Sequence, residues 1–218
     1  ILVSPSGADA SLFHGAQPGE APPRFLAVGR FVAKKGPLIT LEAFAQAAHQ
    51  HPGLELVMVG EGPLLASARR RAMELGLEKR VLFTGVEPPV RIAERLRTCR
   101  GFLQHSLTAP DGDQEGSPVA VMEAQLSGVP VVATHHAGIP EVVVDGETGL
   151  LVQELDTAAM AAAIARLAND PALAARLGSA GRLRAQQLFT VAHHLQSLMD
   201  LFASLVATPG NDGDTLPR

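Results

Sequence analysis

Short apolar runs, each closed by glycine or a polar turn, alternate along this chain with longer stretches whose apolar residues recur every three or four positions. Runs of the first kind are Phe25–Gly29, Leu54–Val59, Val81–Thr84, Gly101–His105 and Val129–Ala133. They read as strands buried on both faces. Between them, Leu38, Leu41, Phe44, Ala45 and Ala48, and then Leu64, Leu65, Ala68 and Ala72, fall at helical spacing. A sixth short strand is expected at Gly149–Val152, followed by helices over Thr157–Ala168, Pro171–Leu188 and Val191–Leu205. Strand and helix in strict alternation build βαβ units, so the fold class is α/β, a doubly wound parallel sheet. Such sheets bind ligands outside the carboxyl ends of their strands, where the strand order reverses. The loops to inspect are therefore Arg30–Gly36, Gly60–Pro63, Gly85–Pro89, Ser106–Pro118 and Thr134–Pro140.

Composition narrows the function classes. The 218 residues carry 18 Lys and Arg against 22 Asp and Glu, a net charge of −4. That balance offers no basic stripe for nucleic acid or anionic lipid. A single cysteine, Cys99, can form neither an internal disulfide nor a thiolate metal site, which points to a reducing, cytoplasmic setting. No apolar stretch approaches the roughly 20 residues that span a bilayer, so membrane association is expected only through parts outside this sequence or through a lipid-linked acceptor. Residues 1–24 read as a connector, 25–206 as one domain and 207–218 as a disordered tail. The first residue is Ile and lies in an apolar run, so further residues are expected upstream.

Two segments carry chemistry. In the loop after the first strand, Arg30, Lys34 and Lys35 stand before a helix expected to begin at Gly36-Pro37. Cations there oppose the helix dipole, which a shared phosphate would resolve. The three side chains could equally splay into water. The second segment is DGDQEGSPVAVMEAQLSG, Asp111 to Gly128. Ser117 suits an N-cap and Pro118 a first helical residue, with Gly128 as the stop. Glu123 is the one charge in an otherwise apolar helix, and a buried carboxylate needs hydrogen-bond donors. Its side chain leans toward the helix start, so Glu115 and Glu123 can face one pocket. A backbone amide or a neighbouring arginine would satisfy Glu123 as well. The aspartates of D-G-D, Asp111 and Asp113, read as a flexible acidic surface loop, or alternatively as groups that touch a bound sugar. His105, His135 and His136 lack a metal-binding spacing.

The spacing Glu115-x7-Glu123, followed by A-x-x-x-G-V-P-V-V, resembles the E-x7-E signature of retaining glycosyltransferases of the GT-B fold. In step with it fall G-R-x4-K-G after the first strand, V-G-E-G-P after the second, F-T-G-V after the third, and H-A-G-I-P-E-x7-G-L-L-V. The likeness runs from about Val3 to Thr190 and is to the C-terminal nucleotide-sugar-binding domain, as in bacterial polysaccharide enzymes of the colanic-acid type. It implies a Rossmann-like doubly wound sheet of about six strands, one half of a GT-B fold. It also implies transfer of a hexose from a nucleotide-diphosphate sugar to an acceptor hydroxyl. By the same resemblance Arg30 and Lys35 would bind the donor diphosphate beside Gly29 and stabilise the leaving group. Glu115 would contact hydroxyls of the transferred sugar, and Glu123 those of the ribose. Gly116, Ser117 and Pro118 would present the helix N-terminus to phosphate or sugar. Val86 would meet the base through its backbone, and Gly60 and Gly62 would let the nucleotide approach. Neither metal nor cofactor is implied, since Arg30 and Lys35 supply the positive charge. An N-terminal acceptor-binding domain would be needed as partner, so this chain alone is expected to turn over little. A nucleotide-sugar-binding module without activity, or a nucleotide-sugar epimerase of the same fold, are the alternatives.

Overall fold

The computed structural model describes residues 6–207. Six strands form one parallel sheet: β1 Arg24–Val28, β2 Glu55–Val59, β3 Val81–Gly85, β4 Gly101–Gln104, β5 Val131–Thr134 and β6 Gly149–Val152. Their order is β3-β2-β1-β4-β5-β6, so the chain reverses direction across the sheet between β1 and β4. The helices are α1 Pro37–Gln50, α2 Leu65–Glu74, α3 Pro89–Arg97, α4 Val119–Ser127, α5 Ile139–Val142, α6 Thr157–Asn169, α7 Pro171–Leu188 and α8 Val191–Ala207. This is the Rossmann-like doubly wound sheet that the alternation predicts.

Period-two alternation divides each strand between two cores. Phe25, Leu56 and Leu103 pack with Leu41, Phe44, Met160 and Ile164 on the face covered by α1 and α6. Leu26, Val57 and Phe102 pack with Val121, Met122, Val131 and Ile139 on the face covered by α4 and α5. With both faces covered, the strands need no polar alternation. Asp156 and Asp170 start α6 and α7 by accepting from the N–H groups of Ala159 and Leu173, each at 2.8 Å. At the foot of the sheet the buried Arg100 donates to the carbonyls of Leu167 and Ala168, in the last turn of α6. There its charge meets the negative end of that helix dipole.

The connector is not free. Ala8 pairs with Thr190, its N–H donating to the Phe189 carbonyl at 2.9 Å, and both Ala8 and Phe13 are buried in the α4-side core. Among the expected boundaries, β4 stops one residue before His105, β5 starts at Val131, and α4 starts at Val119 rather than Pro118. Ser117 is not its cap: the Ser117 hydroxyl accepts from the Ser6 N–H at 3.2 Å, and Pro118 holds the N-cap position. Of the expected tail, Ala207 ends α8, and the rest lies outside the described residues. No helix among the described residues is long and apolar enough to cross a membrane.

Candidate active site

The reversal between β1 and β4 opens a crevice at the carboxyl edge of the sheet, and the loops that follow these strands meet over it. From β1 the chain passes Gly29 and Arg30, makes a single 3-10 turn at Ala33–Lys35, and enters α1 through Gly36. Gly36 has φ 48°, and a Cβ there would lie 2.5 Å from the His105 carbonyl oxygen, so only glycine lets the two loops touch. Pro37 occupies the first turn of α1, and no side chain caps it. The first turn of α1 lines the crevice through Pro37 and Thr40, and a helix N-terminus there favours an anion.

Gly29, Arg30 and Lys35 line the crevice together. Arg30 is exposed and has no ion-pair partner among the described residues. Lys35 pairs with the buried Glu115, whose Oε2 also accepts from Gln104 Nε2 at 3.3 Å. Two residues expected to act on a ligand thus neutralise each other without one. Lys34 turns away and donates to Asp113 Oδ1 at 2.9 Å and to the Gln114 carbonyl at 3.0 Å. Asp113 in turn donates its N–H to Asp111 Oδ1 at 3.1 Å. The D-G-D stretch therefore shapes its own loop, and its lysine partner holds the Asp113 carboxyl below the usual carboxylate range. Among the described residues no group of three or more His, Cys, Asp or Glu could hold a metal ion.

Glu123 stands one turn into α4. Val121, Met122, Ala124, Gln125 and Leu126 are buried, but Val119, Ala120 and Glu123 share a more open face, so Glu123 is half-buried rather than enclosed. Desolvation pushes its carboxyl up to about 7. No donor among the described residues reaches it, neither the amide nor the arginine that could have satisfied it. Glu115 and Glu123 share no hydrogen bond. Gly116 and Ser117, at the start of α4, follow Glu115 directly, and the buried Pro118 seats the helix. A Cβ on Gly116 would meet nothing within 4 Å.

On the other side of Arg30 the crevice continues past Gly60 to Val86, which is 71% exposed beside Val28 and Ile92. An apolar shelf of this kind suits the face of a flat ring. Gly60 and Gly62 have a requirement inside the protein that the sequence did not reveal. With φ 133° and 152°, their Cβ positions would lie 2.0 Å from the Gly29 oxygen and 2.6 Å from the Phe31 oxygen. They let the loop after β2 lie against the loop that carries Arg30.

Sequence reasoning missed the residues that hold Glu115. The Glu115 N–H donates to His136 Nε2 at 3.2 Å, and His136 Nδ1 lies 2.6 Å from Glu154 Oε1. An accepting Nε2 puts the proton on Nδ1, which donates to Glu154. The Glu154 carboxyl is held low, by this bond first and by the Thr108 N–H, which it accepts at 3.2 Å. Three strand-end loops are tied together in this way. His105 is fully buried, and desolvation pushes it down to about 4. Its Nε2 accepts from the Leu155 N–H at 3.0 Å. The signal in the sequence was position alone: His105 directly follows β4, and His136 stands two residues beyond β5.

The chain is 39% identical over 151 residues to the amylovoran biosynthesis glycosyltransferase AmsK of Erwinia amylovora, covering 69% of this chain and 37% of AmsK. It is 35% identical over 161 residues to a GDP-mannose-dependent alpha-(1-6)-phosphatidylinositol monomannoside mannosyltransferase of Mycolicibacterium smegmatis, covering 73% of this chain and 42% of that protein. The chain thus spans about two fifths of the length of these relatives. Among solved structures, the sucrose-phosphate synthase of Thermosynechococcus elongatus superposes with a TM-score of 0.79 at 31% identity, over 93% of this chain and 52% of that one. Residues 12–184 match the family described as glycosyl transferases group 1, and the chain belongs to that family.

Proposed function

We propose that this chain is the donor-binding domain of a retaining glycosyltransferase that moves a hexose from a nucleoside-diphosphate sugar to an acceptor hydroxyl in polysaccharide or glycoconjugate assembly. The observation that carries the reading is Glu123, a half-buried carboxylate one turn into α4 with no donor among the described residues. Two ribose hydroxyls would supply the donors that it lacks, and would favour its charged form. The uncapped α1 and the side chains of Arg30 and Lys35 then take the diphosphate. Val86 and its neighbours shelve the base, and Glu115 takes hydroxyls of the hexose once Lys35 moves to phosphate.

In the transfer step the bond from the anomeric carbon to the diphosphate oxygen breaks, and a bond to the acceptor oxygen forms on the same face. The acceptor's proton passes to the departing diphosphate. Negative charge grows on that diphosphate, where Arg30 and Lys35 stabilise it; two fixed cations do the work that a divalent ion would otherwise do. The acceptor side of the reaction belongs to sequence beyond this chain, in keeping with the two-fifths coverage of the relatives. A thermal-shift panel of UDP-, GDP- and ADP-hexoses tests the reading, because a ligand bound only by the native state raises its stability. One nucleotide series should raise the melting temperature. No shift from any nucleoside diphosphate would refute a donor site.

A further inference from the structure

Gln104 ends β4 at the floor of the crevice and is 5% exposed. Its Nε2 is committed twice, to Ser106 Oγ at 3.1 Å and to Glu115 Oε2 at 3.3 Å. A carboxylate and a hydroxyl oxygen on that side fix the orientation of the amide, since its oxygen would be repelled there. Oε1 then lies on the opposite side of the amide, closed to solvent in the unliganded protein and without a partner among the described residues. Gln104 lines a cavity of about 30 Å³, with Gly29, Arg30, Lys35 and Thr40 around it. That volume admits one hydroxyl or a water or two, and not a ring.

A buried amide oxygen without a donor is costly, and a site that holds one beside a cleft can use it to select the ligand group that uncovers it. The donor must be an O–H or N–H. Phosphate oxygens only accept, so the diphosphate that suits Arg30 and Lys35 does not suit Gln104. We infer that Gln104 Oε1 accepts a hydrogen bond from one hydroxyl of the transferred sugar. The hydroxyl enters the pit while Glu115, bonded to the same amide, takes a neighbouring hydroxyl. Gln104 is in this account a specificity-determining residue. The inference rests on the donor-site reading above and adds the group that tells one hexose from another.

The experiment uses the full-length protein and the nucleoside-diphosphate hexose that gives the largest thermal shift. Analogues of this donor, with fluorine replacing each ring hydroxyl in turn, accept but do not donate. Dissociation constants are measured by calorimetry for wild type and Gln104→Leu. At one ring position fluorine should weaken wild-type binding about tenfold, the scale of one lost hydrogen bond in a dry site. Gln104→Leu should bind the intact donor about tenfold more weakly and lose that sensitivity, while its affinity for the bare nucleoside diphosphate stays within about twofold. Gln104→Met serves the same purpose should the leucine variant fail to fold. Equal fluorine penalties in variant and wild type at every position would overturn the assignment and leave water as the occupant of the pit. An equal loss for bare diphosphate would overturn it too, reducing Gln104 to a support for Glu115. A wild-type protein that binds no nucleoside diphosphate would refute the donor-site reading itself.

Discussion

Glu123 is a carboxylate that burial makes costly to ionise. Its carboxyl is raised from 4.5 to about 7 by burial, so the folded state holds this proton more tightly than the unfolded state. The stabilising contribution is complete below the unfolded value and is lost as pH rises through the folded one. Glu123→Gln should therefore flatten stability between pH 5 and pH 8. At pH 8 it should gain about 1–2 kcal/mol over wild type, after allowance for the solvent the carboxyl still meets. Urea unfolding at the two pH values checks this, and the same variant should lose about tenfold in nucleotide affinity. Lys35 argues the opposite way. Lys35→Ala leaves Glu115 buried without its cation, and it should weaken nucleoside diphosphate binding by about ten- to a hundredfold while nucleoside affinity changes little. Equal effects on the two ligands, measured by calorimetry, would remove Lys35 from the phosphate site.

At the scale of elements, the glycines separate fold from site. Gly60→Ala forces a Cβ to 2.0 Å from the Gly29 oxygen at a φ that L residues avoid, so it should cost about 2 kcal/mol or more and displace the Arg30 loop. Gly116→Ala meets open space and should melt like wild type, yet bind donor more weakly if that stretch of backbone receives the ligand. Thermal melts beside donor titrations distinguish the two. The loop holding Glu115 depends on Glu154 through His136. Glu154→Ala should raise hydrogen exchange at the amides of Thr108 and Glu115 by about tenfold or more, a loss of roughly 1.4 kcal/mol of local protection. The inner strands were legible because both of their faces are buried, which apolar runs such as LELVMV require; the edge strand β3 leaves Leu82 exposed. Ser117 misled because capping propensity is local, whereas its hydroxyl is taken by Ser6, 111 positions away in the chain. His136 and Gln104 were illegible as well. The partners of His136 come from two other strand ends, and those of Gln104 from an irregular loop that follows its own strand, so no regular spacing in the sequence records either.

Across the whole molecule the sheet order decides where chemistry can happen. With β1 flanked by β2 and β4, the loops bearing Arg30, Lys35 and Glu115 converge on one crevice, although they lie far apart in sequence. The two cores pack beneath that edge on either face of the sheet, and the connector adds Ala8 and Phe13 to one of them. The most direct test is a crystal structure of the protein soaked with the nucleoside-diphosphate hexose chosen by the thermal-shift panel. The account predicts the Glu123 carboxylate on two ribose hydroxyls, and Lys35 released from Glu115 to reach the diphosphate beside Arg30. A ligand bound elsewhere, or Glu123 untouched while the Lys35–Glu115 pair stays closed, would contradict it.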